Sequence, residues 1–218
     1  MSATGSIHMG HGQMVDIVAR GADQWEVVFS EAGVAEYKAP PLAEVELDAI
    51  DGEGRIHPLK VSESGKVSSV LASGKVAGAY RVRVRVVHGT HFHTREALLP
   101  GVTPVRPEVG PNGGSLTKLG AGASVEFKRL DEERWELIFA GKATPAADKV
   151  VVQAIGPRAE DYQIRNLATE PGGKPSTLVA KGKIKDATYA RLTITTEAGA
   201  EVRSVPVADG ADMARRTA

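Results

Sequence analysis

"VDIVARGADQWEVVF" (residues 15–29) lies over "VEFKRLDEERWELIF" (125–139) at an offset of 110 with no gap. The only two tryptophans of the chain, Trp25 and Trp135, coincide in this overlay. Glu26 meets Glu136, Phe29 meets Phe139, and Val27-Val28 meets Leu137-Ile138. Further segments correspond after small length changes. "AEVELDAI" (43–50) answers "DKVVVQAI" (148–155), "SGKV" (73–76) answers "KGKI" (181–184), and "YRVRVRV" (80–86) answers "YARLTIT" (189–195). A shared period of about 110 residues reads as two copies of one domain.

Each copy consists of short runs rich in Val, Ile, Thr and aromatics, broken by Gly, Pro, Asp and Ser, which is the pattern of strands and turns. "AYRVRVRVV" alternates, with Val82, Val84 and Val86 on one face and Arg81, Arg83 and Arg85 on the other. Alternation of that kind marks a half-buried antiparallel strand, and the arginines are expected on a solvated face. "DEERWELIF" has some helical character, but its partner carries Gly21 in the matching turn and reads as a hairpin. The expected fold is all-β: two tandem immunoglobulin-like or fibronectin-like β-sandwiches, with about seven strands in each. Boundaries follow from composition. Residues 1–13 are a flexible His- and Met-containing segment, 14–101 copy one, 102–111 a Pro/Gly linker, 112–208 copy two, and 209–218 a tail.

The 218 residues suffice for two cores that need no staples. Lys plus Arg and Asp plus Glu number 27 each, so nothing favours a polyanion and nucleic acid is not an expected partner. There is no cysteine, which excludes disulfides, thiol catalysis and cysteine-ligated zinc. No apolar run approaches the roughly 18 residues of a membrane span. The N-terminus has no charged start followed by an apolar stretch, so the chain as written is expected in the cytoplasm; it is expected in the periplasm if its first residues are a leader on a mature exported chain.

All six histidines fall in the first copy. "VVHGTHFHT" (86–94) holds three of them. A two-residue turn at Gly89-Thr90 would oppose His88 to His91 and put His93 on the same face, opposite Val86. Cross-strand separations near 5 Å suit chelation by imidazoles. "HMGHGQM" (8–14) adds His8, Met9, His11 and Met14; imidazole with thioether favours copper, and imidazole alone also serves zinc. The first strand of such a sandwich begins at the pole of the last hairpin, so His8 and His11 are expected to close a copper or zinc site built on His88, His91 and His93. In the repeat register these three fall on Glu197, Ala200 and Val202 of copy two, so the fold itself does not require them. Solvated turn residues and a pH-sensing cluster are the alternative readings. His57, beside Pro58, reads as a surface residue.

Nothing resembles a phosphate loop, a nucleophile elbow or an H-E-x-x-H helix, so no enzyme is expected. The openings "GHGQMVDIV" (10–18) and "GPNGGSLTKLGAGASVEF" (110–127) resemble the P-H-G-G or P-N-G-G start, followed by a short Glu-Val strand, of small β-sandwich proteins and domains that accompany bacterial heavy-metal efflux systems. The resemblance implies a metal role for His11 and an exported location. Here Gln13, not Gly, follows His11-Gly12, and Asn112 stands where the family has histidine, so copy two is expected to be metal-free. The expected function is non-enzymatic binding of a transition metal, or of a protein partner as an adaptor.

Overall fold

The computed structural model describes residues 5–10, 12–88, 91–99, 108–156, 164–197 and 199–207. The described chain is all-β, with only single 3-10 turns besides strands. It divides into two compact units, the first containing residues up to 99 and the second those from 108 on.

In the first unit, one antiparallel sheet has the order β1 (Gly5–Gly10), β2 (Gln13–Ala19), β3 (Gln24–Glu31), β7 (Ser69–Ser73), β6 (Lys60–Glu63). The other has the order β5 (Ile56–Pro58), β4 (Val45–Asp51), β8 (Ala79–His88), β9 (His91–Leu98). The two sheets share one core. Val15, Ile17, Trp25, Val27 and Phe29 from the first meet Leu47, Ala49, Val82, Val84 and Val86 from the second. Every second residue of these strands is apolar, so each strand buries one face.

The second unit repeats the pattern with β10 (Glu108–Val109), β11 (Ser115–Lys118), β12 (Ser124–Arg129), β13 (Arg134–Ala140), β14 (Val150–Ile155), β15 (Ile164–Pro171), β16 (Thr177–Lys181), β17 (Tyr189–Thr196) and β18 (Gly199–Pro206). Its strands form one continuous ladder because β15 belongs to both layers. Ile164–Leu167 pair with β14, and Ala168–Pro171 pair with β16. In the first unit the same crossing is split into β5 and β6 at Leu59, next to Pro58. Proline has no N–H to give a ladder, and Asn166 holds the matching place in β15. Trp135 packs edge-on to Phe127, with ring centroids 5.9 Å apart.

Three expectations need correction. Residues 5–10, expected as part of a flexible segment, form β1, because Ile7 and Met9 alternate into the core and the backbone pairs with β2. The arginines of β8 are not a solvated stripe. Arg81 is 1% and Arg83 8% exposed; Arg81 pairs with Glu96 at 2.9 Å, Arg83 with Asp48, and Arg85 with Glu46 at 2.7 Å. The repeat register also shifts by one in β8. Ile50 faces Arg81 and Ile155 faces Tyr189, so Arg81, not Tyr80, is the counterpart of Tyr189.

Candidate functional site

The β8–β9 hairpin opposes His88 to His91 and Val86 to His93. Directly opposed residues share one face of a sheet, so by register the three histidine positions fall on the face of Val84 and Val86, and His93 stands opposite Val86, a residue of the core. His93 is half-buried, and the side chains of His88 and His91 lie outside the described residues. The next residue inward on that face of β9, Arg95, stands opposite Val84 and is 6% exposed. Its Nε donates to the carbonyl of His8 at 3.2 Å and its Nη1 to that of Thr94 at 2.9 Å, tying β9 to β1.

Copy two keeps this frame without the imidazoles. Thr196 opposes Gly199 and Ile194 opposes Glu201. Arg203 repeats the clamp, donating from Nε to the Lys118 carbonyl at 3.2 Å and from Nη1 to the Val202 carbonyl at 3.0 Å. By strand register the counterparts of His88, His91 and His93 are therefore Thr196, Gly199 and Glu201, one residue away from the overlay made on sequence. The arginine clamp is common to both copies, and the histidines are particular to the first.

The N-terminal donors separate. Met9 is 2% exposed and belongs to the core, so its thioether is not available to an ion at the surface. His8 is exposed and stands opposite Met14, on the outward face of β1 and β2. Its carbonyl accepts from Arg95, two residues along β9 from His93, so β1 runs beside the strand that carries His93. His11 lies outside the described residues. Its neighbour Gly12 accepts a hydrogen bond from the Ala32 N–H at 3.0 Å, which puts that turn beside the β3–β4 connection. This is the end of the unit at which β8 gives way to β9, since Val86 stands opposite Val45 at the start of β4. Among the described residues no three His, Asp or Glu side chains form a group able to hold a metal ion.

The strand register also relocates the opening motif. Ile7 faces Val15 and Thr117 faces Val125, so "GSIHMGHGQMV" (5–15) runs over "SLTKLGAGASV" (115–125) without a gap. His11 is thereby the counterpart of Ala121 and not of Asn112. The "PNGG" turn corresponds instead to residues 1–4, which lie outside the description.

Two polar constellations were not anticipated from the sequence. His57 Nε2 sits 2.9 Å from Asp51 Oδ2, while Asp51 Oδ1 accepts the Glu53 and Arg55 N–H groups across the β4–β5 turn. This corrects the reading of His57 as a plain surface residue. The arginine ladder of β8 is the second. Burial pushes the Asp48 carboxyl above its ordinary value, opposed by the Arg83 guanidinium, and burial likewise raises Glu96 against the pull of Arg81 and Arg83. Glu46 and Asp48, spaced by two on β4, were the available signal for it, because they face Arg85 and Arg83 across the ladder.

No protein-family model matches the chain, and no curated protein matches it in sequence. No helix among the described residues is long and apolar enough to cross a membrane.

Proposed function

We propose that the chain is a pair of tandem immunoglobulin-like domains acting as a non-enzymatic binding protein, and that the first captures a transition metal, copper or zinc, at the tip of its β8–β9 hairpin. His88, His91 and His93 are the main ligands, and His8 or His11 closes the shell. The observation that carries this reading is the backbone register, which gives three imidazole-bearing positions one face at one end of a hairpin whose twin in copy two has none. The immunoglobulin-like assignment rests on the crossing order: three strands, β1 to β3, on the first sheet, a step to β4 and β5 on the second, a return through β6 and β7, and a final hairpin back on the second sheet.

Imidazole binds metal only when neutral, so capture weakens below about pH 6. The test is a melting curve with Cu²⁺, Zn²⁺ or Ni²⁺ for the wild type and for a His88/His91/His93→Ala variant. A metal that binds the folded form raises Tm by mass action. The expected result is a rise in the wild type that disappears in the variant. No rise with any of the three ions overturns the metal reading.

One observation favours an adaptor role as the second reading. Phe92, on the opposite face of the same hairpin, is 53% exposed, with the Arg85 guanidinium 4.5 Å from its ring centroid. An exposed aromatic beside arginine has the composition of a protein-contact hot spot.

A further inference from the structure

The β10–β11 connection, Gly110-Pro111-Asn112-Gly113-Gly114, closes over a single carboxylate. Glu126 of β12 is 2% exposed. Its Oε1 accepts the backbone N–H of Asn112 at 2.9 Å and that of Gly114 at 2.7 Å, and its Oε2 accepts the side-chain amide of Asn112 at 2.9 Å. The Gly113 N–H is held at 3.0 Å by the Gly110 carbonyl. A Cβ on Gly114 would run into the Phe127 carbonyl, so the loop lies too close to β12 for any side chain there. Every backbone N–H of this turn has an acceptor, and the amide of Asn112 joins the set through Glu126.

We propose that Asn112 is a site of spontaneous deamidation that the closed loop protects and whose product the closed loop cannot accept. The chemistry needs only water. The Gly113 nitrogen gives up its proton and attacks Cγ of Asn112; the new N–C bond forms as the Cγ–Nδ2 bond breaks, and ammonia leaves. Water then adds to either carbonyl of the resulting cyclic imide and opens it to aspartate or isoaspartate. The net change is amide plus water to carboxylate plus ammonium. Glycine after asparagine offers no side chain to hinder the attack. In the closed loop the attacking nitrogen is engaged by Gly110 and the amide by Glu126, so the reaction proceeds when the loop opens.

The product reverses the electrostatics of the turn. A carboxylate replaces the amide that donated to Glu126, and two like charges then meet around a buried acceptor. Isoaspartate also lengthens the backbone by one carbon and moves the Gly114 N–H off its acceptor. Each opening long enough to react therefore converts a chain that can close into one that cannot, which makes the turn a one-way clock on the second unit.

The chain supplies its own control. Its only other asparagine, Asn166, precedes the buried Leu167 inside β15 and accepts the Gln153 amide at 2.8 Å. The experiment incubates the whole chain at neutral pH, folded and in urea, and follows amide loss at each asparagine by peptide mass mapping. The expected result is loss at Asn112 roughly tenfold or more faster in urea than in the folded chain, as for any reaction gated by local opening, with Asn166 slower in urea than Asn112. Equal rates at Asn112 in the two conditions overturn the protection. For the product, Asn112→Asp is compared with the uncharged Asn112→Ser. Asp is expected to lower Tm further than Ser, and adding Glu126→Gln to the Asp variant to restore part of the loss. An Asp variant as stable as the Ser variant overturns the second half of the proposal.

Discussion

Arg81 and Glu96 meet on the first unit with side chains that are each 1% exposed. Two charges withdrawn from water this far depend on each other, because either one left alone retains its desolvation cost without the attraction that offsets it. Glu96→Leu alone or Arg81→Met alone should therefore lose about 3–5 kcal/mol of stability, read by urea denaturation. The Arg81→Met/Glu96→Leu double variant should lose far less than the sum of the two. An additive double variant would mean that the pair is not the unit of the effect. The sequence displayed the alternation of arginine and valine on β8 and invited the usual inference that the polar face is wet. It did not display that Arg81 and Arg83 on this face are buried, because burial depends on what the rest of the chain lays over a strand and not on the strand's own period. His57 is a similar case. Its neighbour Pro58 was visible, but the turn that brings Asp51 to it was not.

At the level of elements, the two copies solve the same problems with the same devices. Each crossing between layers carries a leucine, Leu59 or Leu167, and each faces a glycine that follows a core strand, Gly74 or Gly182. Gly74 has φ +149° and its absent Cβ would sit 3.0 Å from Leu59 Cδ2; for Gly182 the values are +152° and 2.7 Å from Leu167 Cδ2. L-residues rarely adopt such a backbone, and the contact removes the remaining room. Gly182→Ala should cost the second unit roughly 1–3 kcal/mol by strain alone, and Gly74→Ala should act similarly on the first. A denaturation midpoint unchanged by either substitution would refute this account. The glycine shared by "SGKV" and "KGKI" is visible in sequence but its reason is not; the reason is a leucine more than ten residues away in the chain. The one-residue slip at "YRVRVRV" also belongs to this scale. Tyr80 and Tyr189 correspond by residue identity, but the irregular register between Ile50 and Asp51 displaces Tyr80 from the regular ladder. A bulge of this kind leaves no mark in composition.

For the molecule as a whole, the two tryptophans offer one reporter for each unit, since Trp25 lies in the first core and Trp135 in the second. Trp25→Ala should cost the first unit about 3–5 kcal/mol. The fluorescence of Trp135 then reads the second unit in the same sample, and its transition should keep its own core's midpoint. A Trp135 transition that moves as far as the first unit's would show that the two units unfold as one. The paired tryptophans, the strand-like runs and the Val/Arg alternation were enough for the sequence to determine an all-β chain made of two related copies, because apolar period and aromatic spacing are written residue by residue. The hairpin at His88 and His91 was legible for the same reason: a short turn fixes register locally. What only the tertiary structure decided is which faces are covered and which distant residues meet. It took Met9 into the core, turned His8 outward, buried Arg81 against Glu96 and folded Asn112 over Glu126. Those outcomes depend on how one sheet lies on another and on where loops close. They are set by packing among residues far apart in the chain, and no local pattern encodes them.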